Sequence, residues 1–300
     1  MENKKVLLIV NPTAGKGKVI KVLKKVNSHL TEKGCDTDIL YTRKKDDAML
    51  YANQYGKDYS MVVSCGGDGT LNEVINGLMN LEKKPKLSFI PFGTTNDFAK
   101  TLKVPNTKFI TPNKIKTYDE IFCDIGSFDQ TYFNYIAAFG IFTEVSYATP
   151  QSLKNRMGRI AYFLEGIKEL TSIKTYPLTI EVEGKTYTDE FIYGGISNSV
   201  SVAGFKGIGF NPKEVELDDG KFEMLFVKAP KNPIELHKVL SALITQKVSS
   251  EYIYYFKTDK ITVHSEEKMP WTVDGEYAGK KKDVTIKNNK KAIQFVIPKV

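Results

Sequence analysis

Three short stretches in the first hundred residues carry residue types suited to holding an anion. The first is Asn11-Pro12-Thr13-Ala14-Gly15-Lys16-Gly17-Lys18. It separates an apolar run from a helix-period segment, so free backbone N–H groups and the helix dipole can face a phosphate. It fits neither GxxxxGK[ST] nor GxGxxG, and lysines solvated on a plain loop explain it equally well. The second is Gly66-Gly67-Asp68-Gly69-Thr70-Leu71-Asn72-Glu73. Its glycines allow close backbone approach and φ > 0. Asp68 repels a phosphate, so it makes sense where a cation such as Mg²⁺ lies between them. The third is Pro91-Phe92-Gly93-Thr94-Thr95-Asn96-Asp97-Phe98, which places hydroxyls and a carboxylate at a helix start. An ordinary N-cap by Thr95 or Asn96 is the plain alternative.

The elements that must position these turns are legible as period changes. Lys5–Val10, Thr37–Tyr41, Tyr59–Ser64 and Leu87–Ile90 read as buried strands. Lys18–Lys33, Asp46–Tyr55, Thr70–Asn80 and Thr95–Leu102 read as the helices between them, with Gly34 as a C-cap. Such βαβα alternation predicts a doubly wound α/β domain with a parallel sheet. All three turns then emerge at the carboxyl ends of strands, where ligands bind in open α/β sheets.

After about Cys123 the pattern changes to strands: Leu178–Val182, Thr186–Tyr193, Phe222–Val227, Tyr252–Phe256, Lys260–His264 and Asp283–Ile286. Glu183-Gly184-Lys185 suits a hairpin turn. Two helices interrupt the strands, Arg156–Leu170 and Pro233–Thr245, the second with Asn232 as N-cap. The expected organisation is a ligand-binding α/β domain over residues 1–123, completed by 290–300, and a mainly antiparallel β-sandwich domain over 124–289.

Composition excludes several classes. No apolar run approaches the ~18 residues of a membrane-crossing helix, and the Val6–Val10 run stops at Asn11-Pro12, too early for a signal core. Cytoplasmic localisation is expected. Cys35, Cys65 and Cys123 form no CxxC, and His29, His237 and His264 form no HExxH, so neither a disulfide framework nor a zinc site is expected. The 43 Lys+Arg against 35 Asp+Glu leave a formal charge of +8, which suits nucleic acid, an anionic membrane, phosphorylated substrates or solubility alone.

Taken together, the first and third turns, the GGDGT turn and two later segments resemble the diacylglycerol kinase catalytic domain, and most closely the soluble bacterial lipid kinases of that superfamily. The resemblance spans nearly the whole chain. Glu216-Leu217-Asp218-Asp219-Gly220-Lys221-Phe222 resembles the family's structural Mg²⁺ loop. By resemblance, Asp219 and the carbonyls of Glu216 and Lys221 are the ligands. An Asp-Gly turn before a strand is the plain alternative. Trp271-Thr272-Val273-Asp274-Gly275-Glu276-Tyr277 resembles the DGE segment, which implies Glu276 as general base and Asp274 in the Mg²⁺ and water network. A hairpin turn is again the plain reading.

The resemblance implies ATP and Mg²⁺ as cofactors. Asn11, Pro12, Thr13, Ala14, Gly15, Thr42, Gly66, Gly67, Asp68, Gly69, Thr70, Asn72, Glu73, Thr94 and Thr95 would contact the nucleotide. Asp68, Asp97 and Asp124 would reach the catalytic Mg²⁺ through water, with Asp68 and Asp274 joining Glu276 in catalysis. The expected reaction is phosphoryl transfer to a lipid hydroxyl, most naturally that of diacylglycerol. Some diacylglycerol-specific members carry a lysine where Glu165 aligns. The expected partner is a lipid at an anionic membrane surface, touched transiently. Nucleic acid is not expected, and a homodimer is allowed. Another lipid acceptor, NAD, and a nonenzymatic nucleotide or lipid sensor are the rival readings.

Overall fold

The computed structural model describes residues 4–105, 115–141, 143, 173–199, 201–202, 205–206, 216–245 and 251–299. The helix expected over Arg156–Leu170, with Glu165, lies outside them. The chain forms two compact units, one of residues 1–125 with 289–300 and the other of residues 126–288.

In the first unit, β1 (Lys4–Val10) leads through a one-turn 3₁₀ segment (Ala14–Gly17) into α1 (Lys18–Glu32). Then follow β2 (Cys35–Tyr41), α2 (Asp47–Tyr55), β3 (Met61–Gly66), α3 (Asp68–Met79), β4 (Lys86–Pro91) and the short α4 (Asp97–Thr101). The strands pair in parallel in the order β2-β1-β3-β4. Val6, Leu8 and Val10 on one face of β1 join Val19 and Leu23 of α1 in a core cluster, as the period of 2 against 3.6 dictates. Leu7 and Ile9 are buried on the opposite face. There α2 and α3 approach so closely that a Cβ on Gly77 would lie 2.8 Å from the Ala52 Cβ. Near the C-terminus, Phe295 pairs in parallel with Leu87, and Ser88 Oγ donates to the Val296 carbonyl at 2.8 Å.

The second unit is antiparallel. Its strands are the end of β5 (Thr117–Phe128), then β6 (Thr131–Phe133), β7 (Ile136–Gly140), β8 (Tyr176–Val182) and β9 (Lys185–Ser197). The pair β10 (Ser201–Val202) and β11 (Phe205–Lys206) follows. After them come β12 (Phe222–Lys228), α5 (Pro233–Thr245), β13 (Ile253–Thr258), β14 (Lys260–Val273) and the long β15 (Glu276–Lys299), which continues into the first unit. Strands β5, β6 and β7 were not foreseen, because apolar residues interrupted by Asp, Asn and Gly show no clean alternation there. The segments Lys260–His264 and Asp283–Ile286 are parts of longer strands. The central residues of β14, Glu266, Glu267 and Lys268, are too polar to read as sheet from the sequence.

Glu183 and Gly184 both adopt positive φ, as a two-residue β8–β9 hairpin requires. Asn232 Oδ1 caps α5 by accepting from Glu235 N at 2.9 Å, while Glu235 Oε2 accepts from Lys231 N. A core of Phe128, Phe133, Phe139, Phe191, Phe226 and Trp271 fills this unit, with the rings of Phe139 and Trp271 4.9 Å apart and edge-on.

Candidate active site

The three glycine turns meet at the carboxyl ends of β1, β3 and β4. Phe92 N donates to the Gly66 carbonyl at 2.6 Å, which fixes the third turn against the second. Gly67 and Gly93 pass back to back: a Cβ on Gly93 would sit 2.9 Å from the Gly67 Cα. A Cβ on Gly15 would lie 3.3 Å from the Phe92 ring, so the first turn packs on the third. Asn11 Nδ2 reaches Thr70 Oγ1 at 3.5 Å, and Asn11 Oδ1 accepts from Thr13 N and Oγ1 at 3.1 and 2.8 Å. Thr42 adjoins this edge, its N–H donating to the Val10 carbonyl at 2.9 Å.

The backbone differs from expectation in one respect. Gly66, Gly67 and Gly69 do not adopt positive φ, whereas Gly15 and Gly17 do, with Lys16 between them also left-handed. In the second turn, glycine serves proximity instead, since side chains on Gly66 and Gly67 would strike Thr70 and the Gly93 main chain. Helix α3 also starts earlier than its apolar stripe, with Gly67 as N-cap and Asp68 in the first turn. That leaves the first-turn N–H groups without helical carbonyl partners, the arrangement that favours an anion.

The carboxylates divide by their partners. Asp68 Oδ2 accepts from Asp97 N at 3.2 Å and Thr95 Oγ1 at 3.3 Å, and its Oδ1 accepts from Phe98 N at 3.4 Å, so it caps α4. Burial first, and then the charge of Asp97, raise its pKa. Asp97 is buried and pairs with Lys100 at 2.9 Å. Asn96 is the N-cap residue of α4, left-handed and without a side-chain bond into the helix; its carboxamide instead closes the turn on Gly93 with two 2.8 Å hydrogen bonds. Asp124 is fully buried in β5 and accepts from Lys291 N at 2.7 Å. Glu73 turns to α2, where its Oε2 accepts from Ala48 N at 3.2 Å, and burial raises its pKa. Asn72 bonds Asn76 along the same helix. Among the described residues, no three His, Cys, Asp or Glu side chains converge to hold a metal ion. A cation near Asp68 and Asp97 would therefore rely on water and ligand oxygens as well.

In the second unit, Asp219 Oδ1 accepts from Lys221 N at 2.8 Å across Gly220, whose φ is +87°. Its Oδ2 pairs with Lys257 at 2.9 Å, and the same ammonium lies 3.2 Å from the buried Glu223. Burial pushes the Glu223 pKa up to about 7 against the pull of Lys257. A carboxylate on a glycine turn is the oxygen chemistry that a hard cation takes, and here the Lys257 ammonium already faces Asp219 Oδ2. Asp274 and Gly275, at φ +48° and +81°, form a two-residue hairpin turn between Val273 and Glu276. The buried Asp274 carboxylate accepts from Asn134 N, Tyr135 N and Ile136 N at 2.8, 3.0 and 3.1 Å. These contacts anchor the turn, a role that the metal-network reading did not include. Glu276 stands exposed beside it. Sequence reasoning missed the Asp274 partners because they lie about 140 residues away, and no local signal marks them.

The comparisons with known proteins agree with this layout. Residues 5–121 match the diacylglycerol kinase catalytic domain, and residues 136–296 match the YegS C-terminal NAD kinase beta sandwich-like domain. A diacylglycerol kinase of Staphylococcus carnosus is 33% identical over 99% of this chain and 96% of its own length. One from Bacillus subtilis is 32% identical over 92% and 91%. The crystal structure of a diacylglycerol kinase from Bacillus anthracis superposes with a TM-score of 0.73 at 25% identity, covering 99% of this chain and 98% of that one. A parallel α/β unit followed by an antiparallel β-rich unit, matched end to end, defines a lipid kinase. The chain belongs to the diacylglycerol kinase family.

Proposed function

We propose that the enzyme moves the γ-phosphoryl group of ATP to the primary hydroxyl of diacylglycerol. One observation carries the nucleotide half of this reading: the three glycine turns converge at one sheet edge, with Gly67 against Gly93 and Asn11 against Thr70. The backbone of Asn11–Gly15 and Gly66–Thr70 would hold the phosphates, with Thr42, Thr94 and Thr95 contacting the nucleotide. Phosphoryl transfer needs positioning and charge neutralisation above all. Mg²⁺, when bound, supplies that neutralisation. Asp68, Asp97 and Asp124 would reach it through water, and Asp219 with the Glu216 and Lys221 carbonyls would hold a second, structural ion. Glu276 takes the hydroxyl proton as oxygen attacks phosphorus.

ATP consumption with diacylglycerol in detergent micelles tests the reading. Glu276→Gln is expected to lose lipid-dependent turnover by at least about 100-fold while still binding ATP. Full turnover in that variant removes the base assignment. The likeness of residues 136–296 to an NAD kinase sandwich makes NAD the second acceptor to assay. Phosphorylation of NAD instead of diacylglycerol overturns the lipid acceptor.

A further inference from the structure

The last residue of the Gly66–Glu73 stretch is not used by the reading above. Glu73 stands on α3 and bonds α2. Its Oε2 accepts from Ala48 N at 3.2 Å, and the Asp46 N–H also bonds its carboxylate. These donors open α2, and the helix's own N-cap residue does not serve them. Asp46 is left-handed, at φ +70°, and makes no side-chain bond into the helix. The start of α2 is therefore capped from another helix, by a charge-assisted bond of the stronger kind.

The chain between β2 and α2 is held at both ends. Asp47 is buried, and its Oδ2 accepts from Arg43 N and Lys44 N at 2.7 and 3.0 Å. Thr42 comes next, with its N–H on the Val10 carbonyl at 2.9 Å and its hydroxyl 3.5 Å from the same oxygen. Val10 is the residue before Asn11, where the first glycine turn begins. A continuous set of bonds thus runs from the helix of the second turn, through Asp46–Ala48 and Arg43–Lys44, to the edge of the first. The seating of the two helices has other causes. Ala48 and Ala52 are buried, and a Cβ on Gly77 would strike the Met49 carbonyl, so α2 and α3 already pack backbone to backbone. What the Glu73 carboxylate adds is the placement of the loop before α2.

We propose that Glu73 is a positioning residue for the nucleotide, fixing the loop that carries Thr42 against the Gly66–Thr70 turn so that both meet ATP in one arrangement. This rests on the kinase reading. Without the carboxylate, the Asp46 and Ala48 N–H groups turn to water and the loop samples several conformations. ATP then binds only the competent fraction, and its apparent affinity falls by that fraction. The bound arrangement is unchanged, so the transfer step keeps its rate.

Glu73→Leu tests this, since leucine suits a helix and removes both acceptor oxygens, while Glu73→Gln keeps one. The expected result for Glu73→Leu is an ATP KM raised at least about fivefold, with kcat and the diacylglycerol KM unchanged. Glu73→Gln is expected to recover part of the ATP affinity. Hydrogen exchange over residues 42–48 should quicken in the same order. An unchanged ATP KM in Glu73→Leu overturns the proposal, and a lowered Tm beside it would show that the carboxylate serves the fold alone. A loss that falls on kcat, or a glutamine variant no better than the leucine one, overturns it as well. If the wild type neither binds nor consumes ATP, the kinase reading falls. Hydrogen exchange then decides the loop contact by itself, and equal exchange in wild type and Glu73→Leu removes it.

Discussion

At the scale of single residues, proximity sorts the motif positions into those free for a ligand and those already engaged. Asp274 spends its charge on three backbone N–H groups, so it shapes the turn that carries Glu276. Glu73 is similarly engaged at the start of α2. Gly67 and Gly93 pack together because neither has a side chain, and their closeness makes a sharp prediction. In Gly93→Ala the new Cβ would lie 2.9 Å from the Gly67 Cα and 2.7 Å from Asn96 Oδ1. The main chain of two turns must then shift. ATP affinity, measured by calorimetry, is expected to fall at least tenfold, with a stability loss of about 1–3 kcal/mol. Native ATP affinity in Gly93→Ala would separate these turns from the nucleotide.

At the scale of elements, the β14–β15 ladder contains a titrating cross-strand cluster. His264 Nδ1 lies 2.9 Å from Asp283 Oδ1, and its Nε2 lies 3.6 Å from Glu181 Oε1. The bond to Asp283 raises the imidazole pKa above its ordinary 6.5, against the opposing effect of burial, with the charge of Glu181 adding to the rise. A raised pKa means that the folded state holds the proton more tightly than the unfolded one. The stabilisation is therefore complete below pH ~6.5 and lost as pH climbs through the raised value. Half-exposed partners keep the effect small. Urea midpoints of the wild type should fall across this window, and those of His264→Gln should not. An equal slope in both would assign the pH dependence elsewhere.

At the scale of the molecule, the +8 charge suits an anionic surface. No helix among the described residues is long and apolar enough to cross a membrane. For a lipid kinase, docking from water onto an anionic bilayer is the proposal that uses this charge, at roughly 1 kcal/mol per lysine near the surface. Of the three consecutive lysines Lys280, Lys281 and Lys282, Lys281 pairs with Asp129 at 2.9 Å, while Lys280 and Lys282 are exposed. Co-sedimentation with vesicles is expected to rise with anionic lipid and fall with salt. Lys280→Glu with Lys282→Glu should weaken it several-fold, whereas Lys281→Glu should do less. Binding that ignores both lipid charge and salt would remove the electrostatic account.

The sequence by itself determined the alternation of strands and helices in the first unit and the three anion-suited turns. Those features follow from local periods and from glycine, proline and capping chemistry. It also marked the Asn232 cap and the Glu183-Gly184 turn, since each depends on neighbours within four residues. Only the tertiary structure decided what depends on partners far along the chain. The pairing of Phe295 beside Leu87, the burial of Asp124 against the Lys291 N–H and the bond of the Asn134 N–H to Asp274 all join segments more than sixty residues apart. Sheet register sets those contacts. A hydrogen bond between distant strands requires no particular spacing in the sequence, so its donors and acceptors become visible only when the strands are paired.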